Sequence, residues 1–141
     1  MKLDQARNVV VGAFCAVAML AVAGNAQAAV RVGGWSLRAN GQVAQNFQYA
    51  GPCPVSLKFG WGLIGTEPAT LAYSFVRSDG GHSSSQLVGS IPRANQSVPV
   101  YYDWRLGAST PQFENFRGWV ELHVDSPNRV AKRIDFTLHC Q

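Results

Sequence analysis

The feature that most constrains the fold is a strict alternation of large apolar residues with small or polar ones near the middle of the chain. The apolar members are Val55, Leu57, Phe59, Trp61 and Leu63, and the residues between them are Ser56, Lys58, Gly60 and Gly62. A period of two places every apolar side chain on one face of an extended strand. Such a strand must bury that face against a second layer, so we expect packed β-sheets.

The same period recurs from Ala29 onward, interrupted by clusters of Gly, Pro, Asn and Ser. We predict strands at residues 30–38, 55–63, 71–76, 86–91, 98–106, 119–124 and 133–140, with a short pairing segment at 42–49. Pro92 cannot donate a hydrogen bond to a neighbouring strand, which makes 86–91 an edge strand. About seven strands with regular turns predict an all-β fold, an immunoglobulin-like antiparallel β-sandwich, with a small β-barrel or jelly roll as the alternative.

Residues 1–28 have the order of features found in a cleavable secretory signal peptide. Lys2 and Arg7 precede an apolar run over residues 9–22, and Ala26-Gln27-Ala28 supplies the small residues of a cleavage site. A retained membrane anchor would need about 20 apolar residues, more than this run contains. We therefore predict that residues 29–141 form a single exported domain, periplasmic or secreted, with no stable membrane insertion after cleavage.

The chain contains three cysteines, of which Cys15 lies in the predicted signal peptide. The remaining pair lies in a chain predicted to reach an oxidising compartment, so we predict a disulfide between Cys53 and Cys140. This bond leaves no free thiol for catalysis. Because its partners are 87 residues apart, the chain-entropy model assigns it about 4 kcal/mol as an upper estimate.

The formal net charge is +4 at pH 7, and the charged residues are scattered singly along the chain. Arg129, Lys132 and Arg133 come nearest to a basic cluster, and we interpret them as keeping a strand and its turn soluble. A nucleic-acid-binding surface normally carries a clustered basic stripe. We therefore predict no nucleic-acid partner.

Several turn and core motifs are similar to those of a known group of proteins. They are Gly51-Pro52-Cys53-Pro54-Val55, residues 59–64, residues 73–80, Trp104-Arg105-Leu106-Gly107, Gly118-Trp119-Val120, Ser126-Pro127-Asn128 and Cys140. In these motifs the chain resembles small exported bacterial proteins in which a Cys-Pro motif and a terminal cysteine frame an immunoglobulin-like sandwich. The resemblance spans nearly all of residues 29–141 and implies a fold. It implies no catalytic residue, ligand or cofactor.

The histidines and serines do not form a recognisable catalytic or metal-binding motif. His123 should lie opposite Ala131 in a hairpin turning near Pro127, which separates it from His139, while His82 lies in a Gly/Ser turn. The serines at 83–85 lack a Gly-x-Ser-x-Gly elbow and a group to orient a base. We predict no metal, no cofactor and no enzymatic activity, although a pair of carboxylates at glycosidase spacing is left open by the sequence.

The candidate partner contacts are aromatic and basic residues at polar-side or loop positions. Trp119 and Tyr101 alternate with apolar residues, so we expect them on sheet faces, where exposed aromatic side chains suit protein or sugar contacts. An alternative of equal weight is that the N-terminal segment covers the outer side of one sheet and buries these aromatic residues. The polar loop at 107–115 and the residues after it form a second candidate surface. The residues singled out are Trp119, Tyr101, Arg105, Phe116 and Arg117.

These features favour a non-catalytic binding or interaction module that contacts a protein or a cell-envelope polymer. One alternative is a small inhibitor or immunity-type protein that inserts loop 107–115 into a partner's cleft. A less favoured one is a hydrolase of envelope polymers. A concave pocket with convergent polar groups would favour the hydrolase. A flat aromatic patch would favour the binding module, and a projecting loop would favour the inhibitor.

Overall fold

The computed structural model describes residues 27–83 and 86–141. Within them the chain forms nine strands: β1 (Val30–Ala39), β2 (Gln42–Val43), β3 (Gln48–Gly51), β4 (Val55–Gly65), β5 (Ala69–Arg77), β6 (Leu87–Ile91), β7 (Ser97–Leu106), β8 (Phe116–Ser126) and β9 (Val130–Cys140). Single 3₁₀ turns lie at Gln45–Phe47 and Pro111–Phe113. Residues 1–26 of the predicted signal peptide lie outside the described part. No helix in the described part is long and apolar enough to cross a membrane.

The strands form a small sheet in the order β2-β1-β4-β7 and a large sheet in the order β3-β9-β8-β5-β6. In the large sheet β8 lies between β5 and β9, while in the small sheet β1 pairs with β4, which is the immunoglobulin arrangement. The predicted all-β, immunoglobulin-like sandwich is therefore confirmed. The edge-strand prediction for 86–91 is also confirmed, since β6 is the outermost strand of the large sheet.

The segment at 42–49 differs from its prediction. Instead of one pairing segment it supplies β2 to the small sheet and β3 to the large sheet. Between them, Asn46 and Phe47 have φ angles of 53° and 57°, in the left-handed region, and this turn moves the chain from one sheet to the other. β3 runs parallel to β9, with Gly51 opposite Cys140, so the sandwich is not wholly antiparallel. The split accounts for the two strands beyond the predicted seven.

The core lies between the two sheets and contains the alternating apolar residues of β4. Phe59 and Trp61 face Phe136 and Phe75 of the large sheet, each pair with ring centroids 5.3 Å apart. Edge-to-face and tilted aromatic pairs of this kind add to the free energy of burial. The β4 residues that are at most 1% exposed are Val55, Leu57, Phe59, Trp61 and Leu63.

The Cys53–Cys140 disulfide is present, with Cα atoms 5.4 Å apart. It joins Cys53, in the turn between β3 and β4, to Cys140, the last residue of β9, at one end of the sandwich. It therefore differs from the antibody-type bridge across the middle of the core. Gly107 passes directly beside the bond, with a φ of 97°, and a Cβ atom there would lie 2.8 Å from both sulfur atoms.

Replacing Gly107 with alanine is expected to lower the free energy of unfolding by about 2–4 kcal/mol. The methyl group would both occupy a left-handed backbone position and overlap the two sulfur atoms. Urea-induced unfolding of the oxidised protein measures the change. Gly41→Ala is the matched control, because Gly41 has a φ of 84° but open space around the missing Cβ. Equal losses in the two variants would show that contact with the disulfide contributes nothing.

Candidate functional site

The outer face of the large sheet carries a continuous row of polar and aromatic side chains. The residues of β8 that point outward are Arg117, Trp119, Glu121, His123 and Asp125, and they alternate with residues that point into the core. The residues of β9 opposite the first four are Thr137, Asp135, Arg133 and Ala131. We call the surface formed by these residues the outer face.

Trp119 is held in place on the outer face by Arg133. The guanidinium carbon of Arg133 lies 3.8 Å from the centroid of the indole ring, which is a cation–π contact. Arg133 Nε donates a hydrogen bond to Glu121 Oε2 at 3.3 Å, and Glu121 Oε1 lies 2.7 Å from His123 Nε2. The position of the partly buried indole ring is therefore set by the protein itself.

The backbone of Trp119 is held by the turn that follows β5. Ser78 N donates to the Trp119 carbonyl oxygen at 3.0 Å, and Trp119 N donates to Ser78 Oγ at 3.1 Å. The turn is closed by Arg77, whose Nε and Nη2 each donate to an Asp79 carboxylate oxygen at 2.9 Å. The Gly81 amide donates to Asp79 Oδ1, also at 2.9 Å. Both the side chain and the backbone of Trp119 are thus fixed.

The charge of Asp79 stabilises this turn. Partial burial raises the pKa of its carboxyl group, but the hydrogen bond from the Gly81 amide and the Arg77 guanidinium lower it by more, so the pKa lies below the ordinary value of 3.8. A group with a depressed pKa in the folded state contributes stability above the unfolded value and loses it as the pH falls through the lower folded value. The turn beside Trp119 should therefore weaken in strong acid.

Asp79→Asn is expected to lower the free energy of unfolding at pH 7 by about 0.5–1 kcal/mol, a small effect because 43% of the side chain is exposed. The difference from wild type should shrink as the pH falls below the pKa of Asp79, which urea unfolding at neutral and acidic pH measures. Asp103→Asn is the control, since Asp103 is 73% exposed and makes a 3.8 Å ion pair with Lys58. A pH-independent loss in Asp79→Asn would contradict the role of the charge.

A cleft of about 380 Å³ opens beside Trp119 on the outer face. Arg117, Trp119, Asp135 and Thr137 line it from neighbouring positions of β8 and β9, and the left-handed turn adds another wall. That turn contributes Asn46 and Phe47. Among the described residues, no protein group is hydrogen-bonded to the side chains of Arg117, Asp135, Thr137 or Asn46. The cleft therefore combines three aromatic residues, Trp119, Phe47 and Phe136, with several polar groups that the described protein does not use.

Tyr101 and Arg105 lie on the opposite side of the sandwich, on the outward side of β7. Tyr101 is 53% exposed, and its ring covers Gly60, where a Cβ atom would lie 3.0 Å from Tyr101 Cε1. Lys58 Nζ lies 5.4 Å from the centroid of the same ring. The predicted contacts are thus divided between two faces, and a flat partner on the outer face would not reach Tyr101.

Phe116 points inward rather than towards a partner. Its partly buried ring lies 6.1 Å from Phe136 and 5.4 Å from Phe113, measured between centroids. In the preceding loop, the Glu114 carbonyl oxygen lies 2.9 Å from His139 Nδ1. Loop 107–115 is therefore held against the end of the sandwich. Of the residues singled out from sequence, the structure brings Arg117 and Trp119 together at one site.

The histidines contact protein groups and do not converge. His82 Nδ1 lies 3.0 Å from the Ser83 carbonyl oxygen, and His123 lies opposite Ala131 as the hairpin register predicts. Ser83 Oγ accepts a hydrogen bond from Phe75 N at 3.2 Å, and residues 84–85 lie outside the described part. In residues 27–83 and 86–141, no three His, Cys, Asp or Glu side chains are arranged to hold a metal ion.

Three polar or charged residues near Trp119, namely Arg133, Asp135 and Asn46, are not among the contacts predicted from the sequence. Arg133 and Asp135 are typical of a solvated strand, yet the register of the β8–β9 hairpin places them opposite Glu121 and Trp119. That register follows from the turn near Pro127 and could have indicated both residues. Asn46 has no such signal, because its place in the cleft depends on the change of sheet between β2 and β3.

Comparison with known proteins does not identify a family. No protein-family model matches the chain, and no curated protein is similar to it in sequence. The candidate site therefore depends on the geometry of Trp119 and its neighbours.

Proposed function

We propose that the protein is an exported, non-catalytic binding module whose binding surface is the outer face around Trp119. Its partner is a protein or a polymer held in the cell envelope. The observation that carries the proposal is the fixed indole ring, which Arg133 contacts at 3.8 Å and which lines a cleft on a sheet face. An aromatic side chain that is already ordered loses little conformational entropy on binding, so more of its contact energy contributes to affinity.

Two further features support an exported binding module. The disulfide is compatible with an oxidising compartment, and the pattern of residues 1–28 is typical of a cleaved signal peptide. On the outer face, Arg117 and Arg133 lie among the acidic residues Glu121 and Asp135. A surface of mixed charge suits a protein or a sugar better than a nucleic acid.

The two alternative functions have less support. An inhibitor loop must project from the domain, whereas loop 107–115 is held back by the Phe113–Phe116 and Glu114–His139 contacts. Glycoside hydrolysis usually needs two carboxyl groups, one on each side of the scissile bond. Asp135 supplies the one carboxylate among the described residues that line the cleft.

Replacing Trp119 with alanine is expected to reduce retention of the protein on cell-envelope material by about tenfold or more. The change removes the ring from the cleft and leaves the Arg133 guanidinium without its stacking partner. Co-sedimentation of the oxidised protein with an envelope fraction of the source organism measures retention. Tyr101→Ala is the matched control, because it removes an exposed aromatic ring from the opposite sheet.

Retention that depends on Tyr101 and not on Trp119 would place the binding surface on the small sheet instead. A wild-type protein that does not sediment with envelope material would contradict the proposed function. Circular dichroism and urea unfolding of both variants establish beforehand that each is folded. Asp135→Ala, an outward-facing change in the same cleft, tests the same surface if Trp119→Ala does not fold.

A further inference from the structure

We infer that the cleft beside Trp119 binds the pyranose rings of a cell-envelope glycan. This inference rests on the proposed function and names the class of partner for the same site. The observation behind it is the placement of Trp119 with Asp135, Arg117 and Asn46 around one cleft of about 380 Å³. That size lies within the range of about 300–1,000 Å³ typical of small-ligand sites.

The aromatic ring matches the apolar side of a sugar. A pyranose ring presents C–H groups on its faces and hydroxyl groups around its rim. The face of an indole ring carries the negative part of the π quadrupole, which attracts the weakly positive hydrogens of C–H groups. Arg133 covers one face of the indole ring and, together with Ser78, holds Trp119 in place. A sugar in the cleft would therefore stack on the other face of the ring.

The polar groups around the ring match the hydroxyl rim. The Asp135 carboxylate presents two acceptor oxygens, the Asn46 amide presents a donor beside an acceptor, and the Arg117 guanidinium presents a fork of donors. Side chains with two polar atoms side by side can bond to two adjacent hydroxyl groups of one sugar. Within the described residues these three side chains make no hydrogen bond to protein, so a ligand can use them.

The charges of the cleft favour a neutral ligand. Arg117 supplies one positive charge and Asp135 one negative charge to the lining, so neither an anionic nor a cationic ligand gains a net attraction. A protein partner fits less well, because the strongest protein contacts are large side chains seated in desolvated apolar pockets. The phenylalanine rings that line the cleft belong to the hydrophobic core: Phe136 is buried, and Phe47 packs against the core residues. They therefore do not form an open apolar pocket.

The backbone of the cleft wall is itself unusual. Asn46 and Phe47 are consecutive residues in the left-handed region, a conformation that is costly for a phenylalanine. Strained backbone conformations are concentrated at binding and catalytic sites. Here the strained turn brings Asn46 into the lining of the cleft, together with residues of the β8–β9 hairpin.

Two glycan sources are tested separately with the oxidised protein. The first is protease-digested murein sacculi, with and without muramidase treatment. The second is extracted envelope polysaccharide coupled to beads, with and without periodate, which cleaves vicinal diols. We expect retention on one of these protein-free materials and a loss of about tenfold or more after its glycan is degraded. Trp119→Ala and Asp135→Ala should lose the same retention, while Tyr101→Ala keeps it.

The outcomes separate this inference from the proposed function. If retention on whole envelopes disappears after protease treatment and both glycan materials fail to bind, the partner is a protein and the glycan assignment is wrong, while the proposed function stands. If glycan retention persists in both Trp119→Ala and Asp135→Ala, the glycan site lies elsewhere on the protein. If untreated envelopes do not retain the wild-type protein, the proposed function and this inference fail together.

Discussion

Replacing both Cys53 and Cys140 with alanine is expected to lower the free energy of unfolding by about 4 kcal/mol. The bond closes a loop of 87 residues, and without it the unfolded chain regains the conformational freedom that the closed loop denies it. Measured losses for such bonds are usually about 2–5 kcal/mol, a large part of the about 5–15 kcal/mol that stabilises a typical protein. The variant should therefore be markedly less stable than the wild type.

Equilibrium unfolding in urea, read by tryptophan fluorescence, measures this loss. Reduction of the wild-type protein with dithiothreitol is the matched control, since it opens the same bond without changing the sequence. The reduced wild type and the double variant should unfold at similar urea concentrations. A loss below about 1 kcal/mol would show that the closed loop restricts the unfolded chain far less than the entropy model requires.

Trp61→Ala is expected to cost about 3–5 kcal/mol, the range for truncating a large buried aromatic residue. Trp61 is 1% exposed and lies 5.3 Å from Phe75, centroid to centroid, so truncation leaves a cavity at the centre of the core. Its Nε1 also donates to the Lys132 carbonyl oxygen at 3.0 Å across the two sheets. The alanine variant loses that hydrogen bond together with the ring.

Trp35→Ala provides the matched control for this prediction. Trp35 is the register partner of Trp61 on β1, but it is 45% exposed and contacts Lys132 by a cation–π interaction at 3.7 Å. Its loss should cost about 1 kcal/mol or less. Trp61→Phe, which keeps an aromatic ring but lacks the donor, should fall between the two alanine variants. Equal costs for Trp35→Ala and Trp61→Ala would contradict the placement of the core.

Local patterns in the sequence predict most of this fold. The alternation over residues 55–63 identifies β4 and its buried face, and the turn near Pro127 sets the register of the β8–β9 hairpin. The pairing of Cys53 with Cys140 follows from the predicted oxidising compartment and from the two cysteines left outside the predicted signal peptide. The path of the chain between β2 and β3 is not predictable in this way, because left-handed angles at Asn46 and Phe47 have no glycine or other strong marker.

The candidate site is less predictable than the fold. Trp119 stands out because it takes a polar-side position on a predicted strand, and Arg117 stands out because it follows the polar loop at 107–115. The cleft beside them depends on a third segment, at Asn46, which reaches the outer face through long-range packing. Single-sequence periodicity describes neighbours along one strand and carries no information about such contacts.

The position of Cys140 in the ninth strand determines when the crosslink can close. If the chain is exported as proposed and is threaded from its amino terminus, Cys53 crosses the membrane before Cys140 and has no partner for this bond until β9 has followed. The earlier strands must therefore remain soluble without covalent help. Under the proposed export, oxidation of this pair would report that a molecule has been transported through its last strand, and a chain stalled before that point would keep Cys53 reduced.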